Sequence, residues 1–183
     1  MHKNPALARG WGDGSLNLHS GEMSAIVAEQ LRAFYVENRQ SLYTYAVSLA
    51  GRREAAEDAM HQVFQRLLSR DRLPEELRPY VFRCVRNAVL DQRRRAAIRQ
   101  GQAAGGPEPA DTRTPDAILQ ARELDAKLWQ LSPNEREAIV LKIYDGFTFQ
   151  EIADLRGQPL PTVASWYRRG LDKLRELMAP THE

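Results

Sequence analysis

Apolar residues recur at steps of three and four in two separate parts of the chain, and no segment alternates like a strand. The first two stripes consist of Leu31, Phe34, Tyr35, Leu42, Tyr45, Ala46 and Leu49, and of Ala56, Met60, Val63, Phe64 and Leu67. This spacing places the apolar residues on one side of a helix, whose period is about 3.6 residues. The pattern predicts an all-α fold.

The helical pattern is interrupted at residues 100–115, where glycine, proline and small residues replace the apolar stripe. Such a composition is typical of a flexible linker. It predicts two small helical domains, over residues 25–99 and 116–180, joined by this linker. Residues 1–24 contain four glycines and are predicted to form a disordered leader.

The overall composition excludes several classes of protein. With 43% hydrophobic and 27% charged residues, the chain is neither collagen-like nor wholly disordered. It contains no run long enough for membrane insertion or for a secretory signal, so we expect a cytoplasmic protein. Cys84 is the only cysteine, which excludes an internal disulfide or a cysteine-based zinc site. Because Cys84 lies on an apolar stripe, we expect a core thiol rather than a nucleophile.

The net charge of +2 indicates no particular partner, but the charges are unevenly distributed. Residues 83–99 contain six arginines and one acidic residue, Asp91. A basic run of this kind forms either a solvated helix face or a contact with nucleic acid. The run alone does not decide between the two.

Two capping boxes and a glycine organise the C-terminal part. Ser132 is followed by Glu135, and Thr148 by Glu151, a spacing that begins helices. Between the boxes, a packed helix is predicted to end at Asp145 and Gly146, and its apolar residues are Ala138, Ile139, Leu141 and Ile143. A short helix, a turn at Gly157 and a longer helix are then predicted, which is the order of a helix-turn-helix.

The last helix has two different faces at about 100° per residue. Its predicted core residues are Val163, Tyr167, Leu171, Leu174 and Leu177. Thr162, Ser165 and Arg169 lie nearly opposite, flanked by Arg168 and Lys173, and such side chains contact DNA bases or phosphates. Trp166 lies at the boundary, where it either packs or contacts DNA. The alternative is an ordinary helical bundle with a solvated face.

An enzyme or a metalloprotein is the first rival interpretation. Glu57, Asp58 and His61 are close enough on one helix to form half a metal site. The sequence offers no second cluster with ligand spacing, no glycine-rich phosphate loop and no nucleophile motif. We therefore expect no catalytic residue, no metal and no cofactor.

Three sequence blocks, in this order, resemble the extracytoplasmic-function sigma factors of bacterial RNA polymerase, within the sigma-70 family. The first runs from Ala56 to Phe64 and resembles region 2.2. The second runs from Tyr80 to Asn87 with Asp91 and residues 93–95, and resembles regions 2.3 and 2.4. The third resembles region 4 and includes Leu131 to Pro133, Glu135 to Glu137, Phe149 to Ala153 and Thr162 to Ser165.

The resemblance implies a non-enzymatic subunit that binds the polymerase core, at the clamp of the largest subunit and the flap of the second-largest, together with promoter DNA. It implies clamp binding by Asp58, His61, Gln62 and Phe64. It implies that the −10 element is held by Arg83, Arg86, Asn87, Arg93, Arg94 and Arg95. It implies that the −35 element is read by Thr162, Ser165, Trp166, Arg168, Arg169 and Lys173. An anti-sigma factor is a further partner that it implies.

A helix-turn-helix regulator that never joins polymerase is the second rival interpretation. Such a protein normally dimerises to bind two half-sites, and the free faces of a dimerisation domain should be more apolar. A basic helix beside a polar docking helix in the N-terminal part fits a monomeric promoter reader better.

Overall fold

The computed structural model describes the backbone of residues 16–100 and 124–179, and the side chains of residues 25–98 and 124–179. Every regular element in these ranges is helical. The elements are α1 (Leu16–Ala50), α2 (Arg53–Leu68), α3 (Leu77–Gln100), α4 (124–129), α5 (Pro133–Ile139) with a π-helical continuation (Val140–Tyr144), α6 (Phe149–Arg156) and α7 (Leu160–Met178). The predicted all-α fold is confirmed.

Two predicted boundaries differ from the structure. Helix α1 begins at Leu16, so residues 16–24 belong to a helix and not to the predicted disordered leader. No proline interrupts them, and one glycine inside a helix costs only about 1 kcal/mol. Helix α3 ends at Gln100, the first residue of the predicted linker. The rest of the predicted leader and linker, residues 1–15 and 101–115, lies outside the described residues.

Helices α1, α2 and α3 pack into an N-terminal unit. Its fully buried side chains include Leu42, Tyr45, Phe82 and Val85. Helix α1 stops at Gly51, which has a φ of +76° and donates its N–H to the carbonyl of Val47 at 2.9 Å. Glycine adopts this left-handed conformation without a steric penalty, which is why it ends helices so often.

The two capping boxes form as predicted in the C-terminal unit. Ser132 begins α5 and Thr148 begins α6, each paired with a glutamate three residues later. After Ile139 the helix widens into π geometry, and the Asp145 N–H donates to the Val140 carbonyl at 3.2 Å. Ile143 is 54% exposed, so its predicted place in the packed face is wrong: the wider turn rotates it away from Ile139.

The predicted helix-turn-helix is confirmed. Helix α6 ends at Gly157, whose φ is +60°, and the Gln158 N–H closes the turn on the Ala153 carbonyl at 3.0 Å. This is a Schellman-type cap. Helix α7 follows after Pro159 and is the longer, second helix of the motif.

The two helical units pack against each other. Phe147, from the loop before α6, is fully buried, and its ring centroid lies 4.9 Å from that of Phe82 on α3. The Arg78 guanidinium lies 4.2 Å from the centre of the Phe147 ring. Among the described residues, no helix combines the length and apolarity needed to cross a membrane.

Candidate protein and nucleic-acid interfaces

The predicted docking residues on α2 divide between two sides of the helix. Asp58 and His61 are exposed and Gln62 is half-buried, and the helical period places these three on one outer face. Phe64 turns instead toward α1, where its ring makes an edge-to-face contact with Tyr35 at 5.2 Å. The outer face therefore holds three of the four residues.

A groove of about 750 Å³ runs beside this face, between α1 and α2. Its apolar lining includes Leu31, Tyr35, Met60, Phe64 and Leu68. His61 borders both the groove and the polar outer face. Polar and apolar side chains thus adjoin, which is the composition of a protein-docking surface.

The predicted DNA-binding residues of α3 also lie on different faces. Arg83, Asn87 and Arg94 are exposed, and the helical period brings them to one side. Arg86 and Arg93 lie seven residues apart on another side and are half-buried. Arg95 is exposed. The helix thus presents an outward basic face and a second pair of arginines turned inward.

The contacts of the outward face are those of surface groups. The Arg83 guanidinium lies 5.9 Å from the centre of the Tyr80 ring, and Arg94 pairs with Asp91 at 3.5 Å with a side-chain exposure of 76%. Exposed pairs of this kind contribute between about 0 and 1 kcal/mol. Such weak pairs can be exchanged for other contacts at little cost.

The inward arginines make stronger contacts. Arg86 Nε donates to Glu137 Oε1 at 2.9 Å, with only 19% of the arginine side chain exposed. Arg93 Nη1 donates to the Leu49 carbonyl, at the C-terminal end of α1, at 3.0 Å. Both guanidinium groups are therefore hydrogen-bonded to other residues of this chain.

The predicted recognition residues follow two rows along α7. Ser165 is half-buried and Arg168 exposed. Ser165 lies opposite the buried residues Val163 and Leu174, and Arg168 flanks it on one side. The second row lies along one edge of the helix and consists of Thr162, Trp166, Arg169 and Lys173.

The edge row has contacts within the C-terminal unit. Arg169 Nε lies 3.7 Å from Glu135 Oε1 with 58% of its side chain exposed, and Lys173 Nζ donates to the Gln130 carbonyl at 2.8 Å. Trp166 is packed against the buried core, and the Arg156 guanidinium lies 4.8 Å from its ring centre. These contacts favour the packing role of Trp166 over a DNA contact.

A group of polar residues with no predicted role is buried where the two units meet. Arg136, Glu137 and Asp145 are each no more than 5% exposed. One signal was present, because Glu137 precedes Leu141 by one helical turn and so shares its apolar face. A charged residue at such a position needs a buried partner.

No group of three or more histidine, cysteine, aspartate or glutamate side chains suited to a metal ion occurs within the part of the chain that the structure describes. His61 instead has Gln65 Nε2 at 2.8 Å from its own Nε2.

Comparison with known protein families assigns both helical units. Residues 34–98 match the model of Sigma-70 region 2, and residues 121–174 match that of Sigma-70, region 4. The sigma factor CarQ of Myxococcus xanthus is 35% identical over 130 residues, which cover 67% of this chain and 74% of CarQ. The chain belongs to the ECF sigma factors. It is an alternative sigma factor that directs transcription initiation, and the comparisons do not favour the free-standing regulator.

Other ECF sigma factors are similar at lower identity or coverage. SigL of Mycobacterium tuberculosis is 28% identical over 160 residues, covering 83% of this chain and 90% of SigL. SigE of Mycolicibacterium smegmatis is 30% identical over 152 residues, and the match spans 78% of this chain but only 59% of the length of SigE.

Two solved structures share the fold of this sigma factor. The sigma factor RpoE, in its complex with the anti-sigma factor NepR from Bartonella quintana, superposes with a TM-score of 0.72 at 21% identity, over 84% of this chain and 99% of RpoE. CnrH, in complex with the cytosolic domain of CnrY, gives a TM-score of 0.63 at 18% identity, over 90% of this chain and 97% of CnrH.

Proposed function

We propose that this sigma factor docks on core RNA polymerase through the outer face of α2, formed by Asp58, His61 and Gln62 with the adjoining groove. Phe64 contributes from within the groove, where it also packs on Tyr35. The docking site is the clamp of the largest subunit, and the C-terminal unit binds the flap of the second-largest. The subunit supplies binding and orientation and has no catalytic chemistry of its own.

Promoter recognition is divided between two helices. Helix α3 holds the −10 element through its arginines and Asn87, and α7 reads the −35 element from its N-terminal half. The observation that carries this assignment is the position of Ser165 and Arg168 on the outer side of the second helix of a helix-turn-helix. In that motif, the N-terminal residues of the second helix contact base edges in the major groove.

An anti-sigma factor is the second proposed partner. Two of the structural neighbours are complexes, RpoE with the anti-sigma factor NepR and CnrH with the cytosolic domain of CnrY. In this chain, the groove between α1 and α2 offers an apolar surface that such a partner could cover. A partner bound there would compete with the polymerase clamp.

The −35 assignment is tested with holoenzyme reconstituted on promoter DNA selected from a random-sequence pool. We expect Arg168→Gln to weaken binding of selected promoters by about tenfold and to relax preference at one or two −35 positions, since a base contact contributes about 1–3 kcal/mol. Arg175→Gln is the matched control, because Arg175 is exposed on the same helix two turns further on. Equal effects of the two substitutions would contradict the assignment.

A further inference from the structure

Arg169, in the edge row of α7, lies beside a carboxylate that belongs to a different helix. Its Nε is 3.7 Å from Oε1 of Glu135, which lies in the first turn of α5. The arginine side chain is 58% exposed, whereas that of the glutamate is only 15% exposed. An ion pair at Nε leaves the donors on Nη1 and Nη2 for other partners. The guanidinium can therefore contact DNA while Glu135 holds it.

The Glu135 carboxylate is itself fixed by the start of α5. Its Oε2 accepts the Ser132 N–H at 3.1 Å, and the Glu135 N–H donates to the Ser132 hydroxyl at 3.5 Å. One carboxylate oxygen thus completes the capping box, and the other faces Arg169. An exposed ion pair usually gains little because two long side chains must be ordered to form it. Here the capping box has already ordered one of the two.

The closeness of α5 and α7 brings this pair together. Gly170 follows Arg169 and is buried where the two helices meet. A Cβ at Gly170 would lie 2.7 Å from Ile139 Cδ1 and 3.1 Å from Glu135 Cβ. Only a residue without a side chain permits this approach, which places the Glu135 carboxylate beside the neighbouring Arg169.

Arg169 also lies on the side of α7 that faces away from the core. It follows Ser165 by one helical turn and is rotated from it by about 40° around the helix. Arg168 flanks Ser165 on the other side. A guanidinium extended outward from this position has the reach and the direction needed to contact a base edge in the major groove.

Base contacts depend on orientation more strongly than phosphate contacts do. A bidentate contact with guanine requires two N–H donors in the plane of the base, whereas a phosphate contact carries no sequence information. Holding a long side chain in its binding geometry lowers the entropy lost on binding. A carboxylate that orients Arg169 should therefore contribute to sequence preference, although its negative charge repels DNA in general.

We propose that Glu135 is a positioning residue for recognition of the −35 element, which holds the Arg169 guanidinium toward the major groove. The inference rests on the proposed role of α7 in reading that element. Glu135 acts through Arg169 and contacts no base itself. The capping box at Ser132 thereby has two functions, since it begins α5 and also fixes the carboxylate that orients a DNA-binding arginine.

The test replaces Glu135 with glutamine, which also completes a capping box but has no charge to hold Arg169. Holoenzyme is reconstituted with each variant and mixed with a promoter selected from a random-sequence pool. The dissociation constant is measured for this promoter and for the same DNA with a scrambled −35 element. The ratio of the two constants is the −35 preference, which a general loss of stability would leave unchanged.

We expect Glu135→Gln to lower the −35 preference by about threefold, as suits the loss of one partly exposed ion pair. Binding to the scrambled DNA should not weaken, because the variant has lost a negative charge near the phosphates. Arg169→Gln should lower the preference by about tenfold, as expected for the loss of a base contact.

The double variant decides whether Glu135 acts through Arg169. Adding Glu135→Gln to Arg169→Gln should change the −35 preference no further, since the side chain that it positions is already gone. Independent effects would instead multiply, to about thirtyfold. Circular dichroism verifies that each variant remains helical.

Glu176→Gln is the matched control for the loss of a carboxylate. Glu176 is exposed and follows Arg169 by seven residues, which places it on the same side of α7 two turns further on. The −35 preference should stay at the parent value in this variant. An equal fall in the Glu176 and Glu135 variants would overturn the inference, because it would assign the effect to charge alone.

Two further results would also overturn it. The first is an unchanged −35 preference in Glu135→Gln while Arg169→Gln lowers that preference; the second is multiplied effects in the double variant. Failure of the proposed function gives a different pattern. In that case neither Arg168→Gln nor Arg169→Gln would change the −35 preference, and the positioning role of Glu135 would fall with it.

Discussion

At Glu137, one carboxylate accepts hydrogen bonds from a tyrosine and two arginines while almost wholly buried. Burial and the neighbouring carboxylate raise the pKa of Tyr45 well above its ordinary value, so the phenol remains a neutral donor. Burial also lowers the pKa of Arg156 and brings that of Arg136 to about 10. Both guanidinium groups are charged at neutral pH.

Alanine substitutions at Gly51 and Gly146 should differ in how much they destabilise the fold. Both have positive φ values, +76° and +68°, so alanine should cost about 1 kcal/mol at each for conformation alone. A Cβ at Gly51 would also lie 2.8 Å from Trp129 Cη2, whereas nothing lies within 4 Å at Gly146. We expect Gly51→Ala to lower the free energy of unfolding in urea by more than Gly146→Ala does. An equal or smaller loss at Gly51 would contradict the Trp129 contact.

At the scale of the element, the helix-turn-helix depends on short-range bonds that a sequence can reveal. The Thr148 hydroxyl accepts the Glu151 N–H at 3.2 Å, and Glu151 Oε2 accepts the Thr148 N–H at 2.7 Å. The Thr148 N–H and hydroxyl both donate to Glu151 Oε2, and these two hydrogen bonds lower the pKa of the Glu151 carboxyl. The box at Ser132 is looser, since its hydroxyl accepts the Glu135 N–H at 3.5 Å.

The two boxes give a matched pair of substitutions. We expect Thr148→Ala to cost about 1 kcal/mol of unfolding free energy, the usual value for the loss of an N-cap, and Ser132→Ala to cost less because its bond is longer. Urea unfolding followed by circular dichroism measures both. A greater loss at Ser132 would show that bond length does not rank these caps.

The same local bonds explain how much of the fold was predictable. Capping boxes and apolar stripes join residues three or four apart, so the helices and the helix-turn-helix could be predicted from sequence. The π-helical segment after Ile139 could not, because the choice between helical geometries depends on packing. The Tyr45 hydroxyl is hydrogen-bonded to Glu137, which lies 92 residues further along the chain. Only the folded chain brings them together, and this is why the inward position of Arg86 was missed.

At the scale of the whole molecule, Asp145 makes the packing of the two helical units depend on pH. Burial raises the pKa of its carboxyl to about 7, against the opposing effects of Ser41 and Arg78. When the two units separate, the pKa of Asp145 should return to about 3.9. The form with the two units packed together therefore binds more protons between about pH 4 and pH 7. Its stability relative to the separated form falls as the pH rises through this window.

We predict that the packing of the two units loses up to about 1.4 kcal/mol of stability per pH unit in this range. Small-angle scattering from pH 5 to pH 8 should show the parent expanding as the pH rises. Asp145→Asn has no titratable group at this position, so its radius should change much less. The same pH response in both proteins would assign the effect to other groups.

The most direct test of the sigma-factor assignment is binding to core RNA polymerase, measured by size-exclusion chromatography. We expect a stoichiometric complex with the parent chain. The complex should be lost or greatly weakened when Asp58 and Gln62 are changed to alanine. It should be retained when Gln30 and Glu37, exposed on the side of α1 away from the groove, are changed instead. No complex with the parent chain, together with DNA binding as a dimer, would contradict the account.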